Sequence, residues 1–204
     1  MESVSVTAKP REAKRWTADE FIAWLDPGVH ADLLDGEVYM HSPVNLRHAT
    51  LLNFLERLMG LYVEARRLGS VHRENWVVRL SSRRAVMPDI CYFTPAQTAA
   101  LQETYSPVAP ALVVEVLSPW SLDRDRLWKF AAYEERGAQE YWILDPDHLE
   151  HHFYRRQGEL LVEYAVAEGR ITSQVITGFW VERTWLNPGA PTDVLVCLRQ
   201  LGVI

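Results

Sequence analysis

Cysteine is nearly absent from this chain of 204 residues, with Cys91 and Cys197 the only two. Two thiols cannot build a disulfide framework and lack the paired spacing of a zinc site, so a reducing cytoplasm is the expected location. Long apolar runs are missing as well. Stretches such as Ala109 to Leu117 and Tyr141 to Leu144 are interrupted or much shorter than the roughly 20 residues needed to cross a bilayer. The first ten residues carry no apolar segment with a small-residue cleavage site, so a soluble protein is expected, with a flexible leader over 1–15 and a single domain over 16–204. Positive charge is not in excess either. A net charge of −6 argues against a protein that coats nucleic acid through a global basic field.

What the chain does have is core. Hydrophobic residues make up 48% of it and eight are tryptophan, enough for one substantial domain. Thr17-Ala18-Asp19-Glu20 has the form of a helix capping box, and Asp35-Gly36 is a turn pair between two short strands. From His48 to Leu68, leucines and aromatics recur at helical spacing, which predicts the longest helix, stopped by Gly69. Strands are expected over Val71 to Leu80, Ala85 to Phe93, Ala111 to Leu117 and Glu140 to Leu144, with a helix from about Leu122 to Arg136 between the last two. A right-handed strand-helix-strand crossover is the natural arrangement of that last unit. His151 to Arg155 with Leu160 to Ala167, then Gln174 to Val181 and Val194 to Leu198, read as a C-terminal β-rich region. The whole pattern is that of an α/β protein, a mixed sheet with helices on its faces.

Two acids break the apolar pattern. Asp89 lies in Val86-Met87-Pro88-Asp89-Ile90-Cys91-Tyr92-Phe93, and Glu115 in Leu112-Val113-Val114-Glu115-Val116-Leu117. An unpaired carboxylate buried in such a strand costs several kcal/mol, so something must compensate it. A base could do so in a purely structural ion network. A divalent cation could do so as well, and two hard carboxylates suit Mg²⁺ or Mn²⁺ better than zinc. Lys129 follows on the predicted helix, where Asp125, Lys129 and Tyr133 share a face at four-residue spacing; on spacing alone this is an ordinary helix pair. Six arginines between Arg66 and Arg84 face a single acid, Glu74, and form either a solvated surface or a local phosphate-binding patch.

Pro88-Asp89, Glu115 through Pro119, Asp125-Arg126, Lys129, Tyr133, Gly137 and Glu140 through Pro146, preceded by Asp35-Gly36-Glu37, Ser42-Pro43 and His48, resemble the Uma-two family of restriction endonucleases in the PD-(D/E)XK nuclease superfamily. The similarity covers roughly residues 16 to 186. It implies a restriction-endonuclease-like mixed central sheet flanked by helices, with a β-rich N-terminal hairpin and C-terminal region. By the same resemblance Asp89 and Glu115 are metal-binding acids, Lys129 is the catalytic lysine, and the substrate is nucleic acid, with DNA favoured. The superfamily's lysine two residues after the glutamate is here Leu117, so the basic role would have moved to the helix. Glu37 is a weaker candidate ligand, His48 an accessory group near phosphate or water, and Tyr133 a group that orients Lys129.

Two functions are therefore expected to compete: a Mg²⁺- or Mn²⁺-dependent endonuclease, for which a homodimer would supply the two sites that cutting both strands takes, and a non-catalytic nuclease-fold module that binds nucleic acid or protein.

Overall fold

The computed structural model describes residues 14–118, 124–166 and 169–204, with the side chains of 124–126 left out. Most of the expected leader, the segment after Ser118, the start of the predicted crossover helix and the Asp125 side chain therefore lie outside the described residues.

The N-terminal elements follow the local chemistry of the sequence. Helix α1 (Ala18–Trp24) begins at Thr17, whose hydroxyl accepts the Glu20 N–H while the Glu20 carboxylate accepts the Thr17 N–H at 2.8 Å. Strands β1 (Ala31–Leu34) and β2 (Glu37–Met40) form an antiparallel hairpin, and both turn residues, Asp35 and Gly36, have positive φ. Helix α2 (Leu46–Arg66) is capped by the Asn45 side chain and ends at Arg67 in the left-handed conformation, two residues before the predicted stop. Gly69 instead serves a close approach. A Cβ there would stand 2.0 Å from the Phe93 carbonyl oxygen.

The next segment departs from expectation. Two long strands were predicted, and each is broken: β3 (Ser70–Arg73) and β4 (Val77–Ser81), then β5 (Arg84–Val86) and β6 (Ile90–Phe93). The β4–β5 half belongs to one sheet and the β3–β6 half to another. Pro88 has no N–H for a ladder, and Asn75, with φ of 61°, turns the opposite strand at the same level. The Glu74 N–H to Asp89 carbonyl bond, 3.3 Å, holds the two breaks together.

The first sheet has the order β2-β1-β5-β4-β7, where β7 is Tyr105–Ser106, preceded by the short helix α3 (Pro95–Thr98). The second has the order β11-β10-β9-β8-β6-β3. Its centre is β8 (Leu112–Val116), antiparallel to β6 and parallel to β9 (Glu140–Leu144), with β10 (His152–Gln157) and β11 (Leu160–Glu163) beyond. Helix α4 (Phe130–Glu135) lies in the β8–β9 connection and is led in by a π-helical segment, Arg124–Lys129. A small ribbon of β12 (Arg170–Thr172) and β13 (Trp180–Glu182) follows. Val194 to Leu198, expected as a strand, instead lie in helix α5 (Val194–Gln200). Asp193 caps its start, and Val194, Cys197 and Leu198 bury at helical spacing, a pattern that a run of five apolar residues cannot distinguish from a strand.

Three cores result. One lies between the second sheet, α2 and α5, where Leu51, Leu55, Leu58 and Met59 are almost completely buried, each contributing about 2 kcal/mol of hydrophobic stabilisation. A second joins Leu34, Val78 and Val86 of the first sheet to Cys91, Val113, Leu117 and Tyr141 of the second, with Tyr133 of α4. The third packs Phe21 of α1 beneath the first sheet.

Candidate active site at the sheet crossing

Asp89 is the last residue before β6, at the point where the chain passes between the sheets. The β6–β8 register pairs Ile90 with Val114, so one further step sets Asp89 opposite Glu115. The two acids, far apart in sequence, are brought to neighbouring strand positions as expected. They differ in environment. Glu115 is 1% exposed, whereas the Asp89 side chain keeps 19% of its surface open. One Asp89 carboxylate oxygen, Oδ2, accepts the Val116 N–H at 2.7 Å and stands 3.5 Å from His48 Nε2.

Lys129 supplies the charge that Glu115 requires. It is 2% exposed, and its Nζ lies 3.2 Å from both Glu115 carboxylate oxygens, 3.3 Å from the Met87 carbonyl oxygen and 3.4 Å from Asp32 Oδ2. An ammonium placed among two carboxylates and a carbonyl offsets the buried negative charge of both acids. Leu117, two residues after Glu115, packs in the intersheet core instead. The π-helical turn that ends at Lys129 is a rare geometry often found at functional sites.

Asp32 is the residue that sequence reasoning missed. It sits in β1 with no exposed surface; its Oδ1 accepts the Met87 N–H at 2.8 Å, and its Oδ2 is 2.9 Å from His41 Nε2. The signal was available. Ala31-Asp32-Leu33-Leu34 is an acid in an apolar strand, the same anomaly that marks Glu115, but the strand is short and runs directly into the more conspicuous Asp35-Gly36-Glu37 turn. Glu37 is not drawn into this group: at the surface it pairs with Arg15 at 3.0 Å and accepts the Tyr39 hydroxyl at 2.9 Å.

His48 is held by the α2 cap, since its N–H donates to the Asn45 side chain at 2.9 Å. Burial opposes charge on its ring, but the hydrogen bond and charge of Asp89, with Glu74 beyond, win and raise its pKa. Burial likewise opposes the Asp89 carboxylate. His48, Lys129 and the Val116 N–H together outweigh it and hold the Asp89 pKa below the ordinary value. Tyr133, one turn after Lys129, is fully buried and packs against Tyr141.

The arginine stretch does not assemble as one patch. Arg73 lies in the second sheet and Arg79 and Arg84 in the first; Arg79 pairs with Asp19, Arg84 with Asp35 and Glu135, and Arg73 donates to Asn53. Arg66 caps α5 by donating to the Leu201 and Gly202 carbonyls. Beside the acids, a cleft of about 370 Å³ is lined by His41, Asp89, Met87, Glu74 and the Ser42–Val44 loop. Among the described residues, no group of three or more His, Cys, Asp and Glu side chains is placed to hold a metal ion. No helix of the described residues is long and apolar enough to cross a membrane.

Comparison with known proteins places the family and the fold. Residues 18–186 match the family described as "Uma2: Putative restriction endonuclease". None of the curated proteins matches the sequence. Among solved structures, the fold is similar to that of a protein from Anabaena variabilis titled "putative nuclease belonging to DUF820", with a TM-score of 0.70 and 17% identity, over 83% of this chain and 96% of that one. At that identity the likeness concerns the fold.

Proposed function

Since the chain belongs to the Uma2 family, we propose that it is a metal-dependent endonuclease whose centre is the sheet crossing at Asp89, Glu115 and Lys129. The observation that carries this reading is the enclosed Lys129 ammonium, shared by Glu115 of one sheet and Asp32 of the other beside an open cleft.

Asp89 and Glu115 are the residues that would hold the metal. Mg²⁺ keeps several of its waters and needs only one or two carboxylates, so a two-acid set of hard oxygens fits it. Bound there, the ion would lower the pKa of a water and neutralise phosphate charge. Lys129, as an ammonium, cannot act as the base. It stabilises negative charge as it builds on the phosphate, while Asp32 holds it in place. Asp89 faces the cleft, with His48 fixing its orientation from α2. The phosphodiester of a nucleic acid, DNA by family, is the substrate class.

The experiment is incubation of supercoiled plasmid and single-stranded DNA with Mg²⁺ or Mn²⁺, alongside an Asp89→Asn variant. Metal-dependent cutting by the wild type, reduced at least about a hundredfold in the variant, is expected. Equal cutting by both proteins would remove Asp89 from the site.

A further inference from the structure

A departing nucleoside oxygen is a poor leaving group unless it receives a proton. Lys129 is enclosed by Glu115, Asp32 and the Met87 carbonyl, and its exposure is 2%. Another donor must therefore come from the cleft. His41 follows the last residue of β2 and is anchored there by its N–H, which donates to the His30 carbonyl at 2.8 Å. Its Nε2 stands 2.9 Å from Asp32 Oδ2, the same oxygen that lies 3.4 Å from Lys129 Nζ. Asp32 is completely buried and its other oxygen accepts the Met87 N–H, so the carboxylate is fixed in direction.

His41 differs from Asp32 in access. Its side chain is 24% exposed and lines the cleft that also contains Asp89. A buried carboxylate 2.9 Å behind an imidazole that opens to a cleft places one ring nitrogen against a fixed acid and leaves the ring within reach of a molecule in the cleft. Glu74 and His30 also line the cleft, leaving Asp32 the charged group in closest contact with the ring.

We propose that His41 is a further catalytic residue, the acid that protonates the leaving oxygen, with Asp32 as the residue that positions both His41 and Lys129. The inference rests on the nuclease reading. In the step, a water oxygen bonds to phosphorus and gives up one proton to solvent, and the bond from phosphorus to the leaving oxygen breaks with its electron pair on that oxygen. The Nδ1 proton of the His41 imidazolium transfers to the leaving oxygen and yields a free hydroxyl. Nε2 stays beside Asp32, 2.9 Å from its Oδ2, and solvent restores the Nδ1 proton before the next turnover. Asp32 thus links the group that stabilises the phosphate to the group that completes bond cleavage.

The test uses the full chain and a leaving group that needs no proton. Sequencing the ends of wild-type products identifies a cut position and which bridging oxygen departs. A duplex with sulfur in place of that oxygen, at that position, is then compared with ordinary DNA. His41→Gln keeps a polar group beside Asp32 but cannot act as an acid. It should cut ordinary DNA at least about a hundredfold more slowly, and the sulfur-bridged duplex within about threefold of the wild type. Rescue on the sulfur substrate also demonstrates that the variant is folded. Equal losses on both substrates, or no loss on ordinary DNA, would overturn the role of His41 while leaving the nuclease reading intact. A wild type that cuts no DNA with any metal would remove both.

Discussion

Glu115 and Glu140 occupy adjacent parallel strands and are equally buried, each 1% exposed, yet they are wired in opposite ways. Glu140 opens β9. Its oxygens accept from the Ser173 hydroxyl at 2.6 Å, the Gln174 N–H at 2.7 Å and Arg155 Nε at 3.3 Å, so it fastens the segment after β12 to the sheet. Glu115 lies near the other end of its strand, beside the cleft, and meets an ammonium shared with the other sheet. Burial of a carboxylate therefore says only that it has partners. What separates the clasp from the site is the kind of partner: Glu140 is held by a hydroxyl, a backbone N–H and an arginine, whereas Glu115 shares its ammonium with a second carboxylate beside the cleft. Position agrees, since open parallel strands present ligands at their carboxyl ends.

The largest effect expected from this contrast is at Lys129. Lys129→Met removes the ammonium that lies 3.2 Å from Glu115 and 3.4 Å from Asp32, and with it the group that stabilises the phosphate. Unfolding in urea should show a loss of about 3–5 kcal/mol, and cleavage by the remaining folded protein should fall at least about a hundredfold. A variant that loses stability but keeps its cleavage rate would reduce Lys129 to a clasp like that of Glu140.

Glu140→Ala should behave in the opposite sense. It leaves the Ser173 hydroxyl, the Gln174 N–H and Arg155 short of an acceptor, which should cost about 3 kcal/mol in the same unfolding measurement. Cleavage per folded molecule should not change. Burial raises the Glu140 pKa against its hydrogen bonds and Arg155, so its charged form is already disfavoured in the fold. A large loss of activity in the folded variant would blur the distinction between the two glutamates.

The smallest effect concerns the His48–Asp89 pair in the metal-free protein. The His48 pKa is raised, so its contribution is complete below the unfolded imidazole value of about 6.5 and disappears as pH rises through the higher folded value. The Asp89 pKa is lowered, so its contribution is complete above the unfolded value of about 3.9 and disappears as pH falls through the lower folded one. The stability difference between wild type and His48→Gln should therefore be greatest between about pH 4 and 6.5, on the order of 1 kcal/mol, and shrink on either side. A difference that is flat with pH would mean that the two groups do not act as a charged pair.

Much of the fold was legible where local chemistry decides it. The Thr17–Glu20 capping box, the Asp35-Gly36 hairpin, the stripe of α2 and the buried β8 and β9 strands all form as read. The division into two sheets was not, because Pro88 inside a continuous apolar run marks a break without saying which partner each half will take. α5 was misread for want of length. In the site, Glu115 stood out because its neighbours are apolar, and the resemblance supplied Asp89 and Lys129. Asp32 and His41 come to the centre only through β1, β2 and the Met87 N–H, contacts between elements that no spacing encodes. Glu37, two residues beyond Asp35, was the more visible acid and proves to be tied to Arg15.

The most direct test compares Glu115→Gln with Glu140→Gln, purified side by side and assayed for Mg²⁺-dependent cleavage of supercoiled plasmid at equal concentrations of folded protein. The site at the sheet crossing predicts that Glu140→Gln cuts at the wild-type rate and Glu115→Gln at least about a thousandfold more slowly. Undiminished cutting by Glu115→Gln would contradict it.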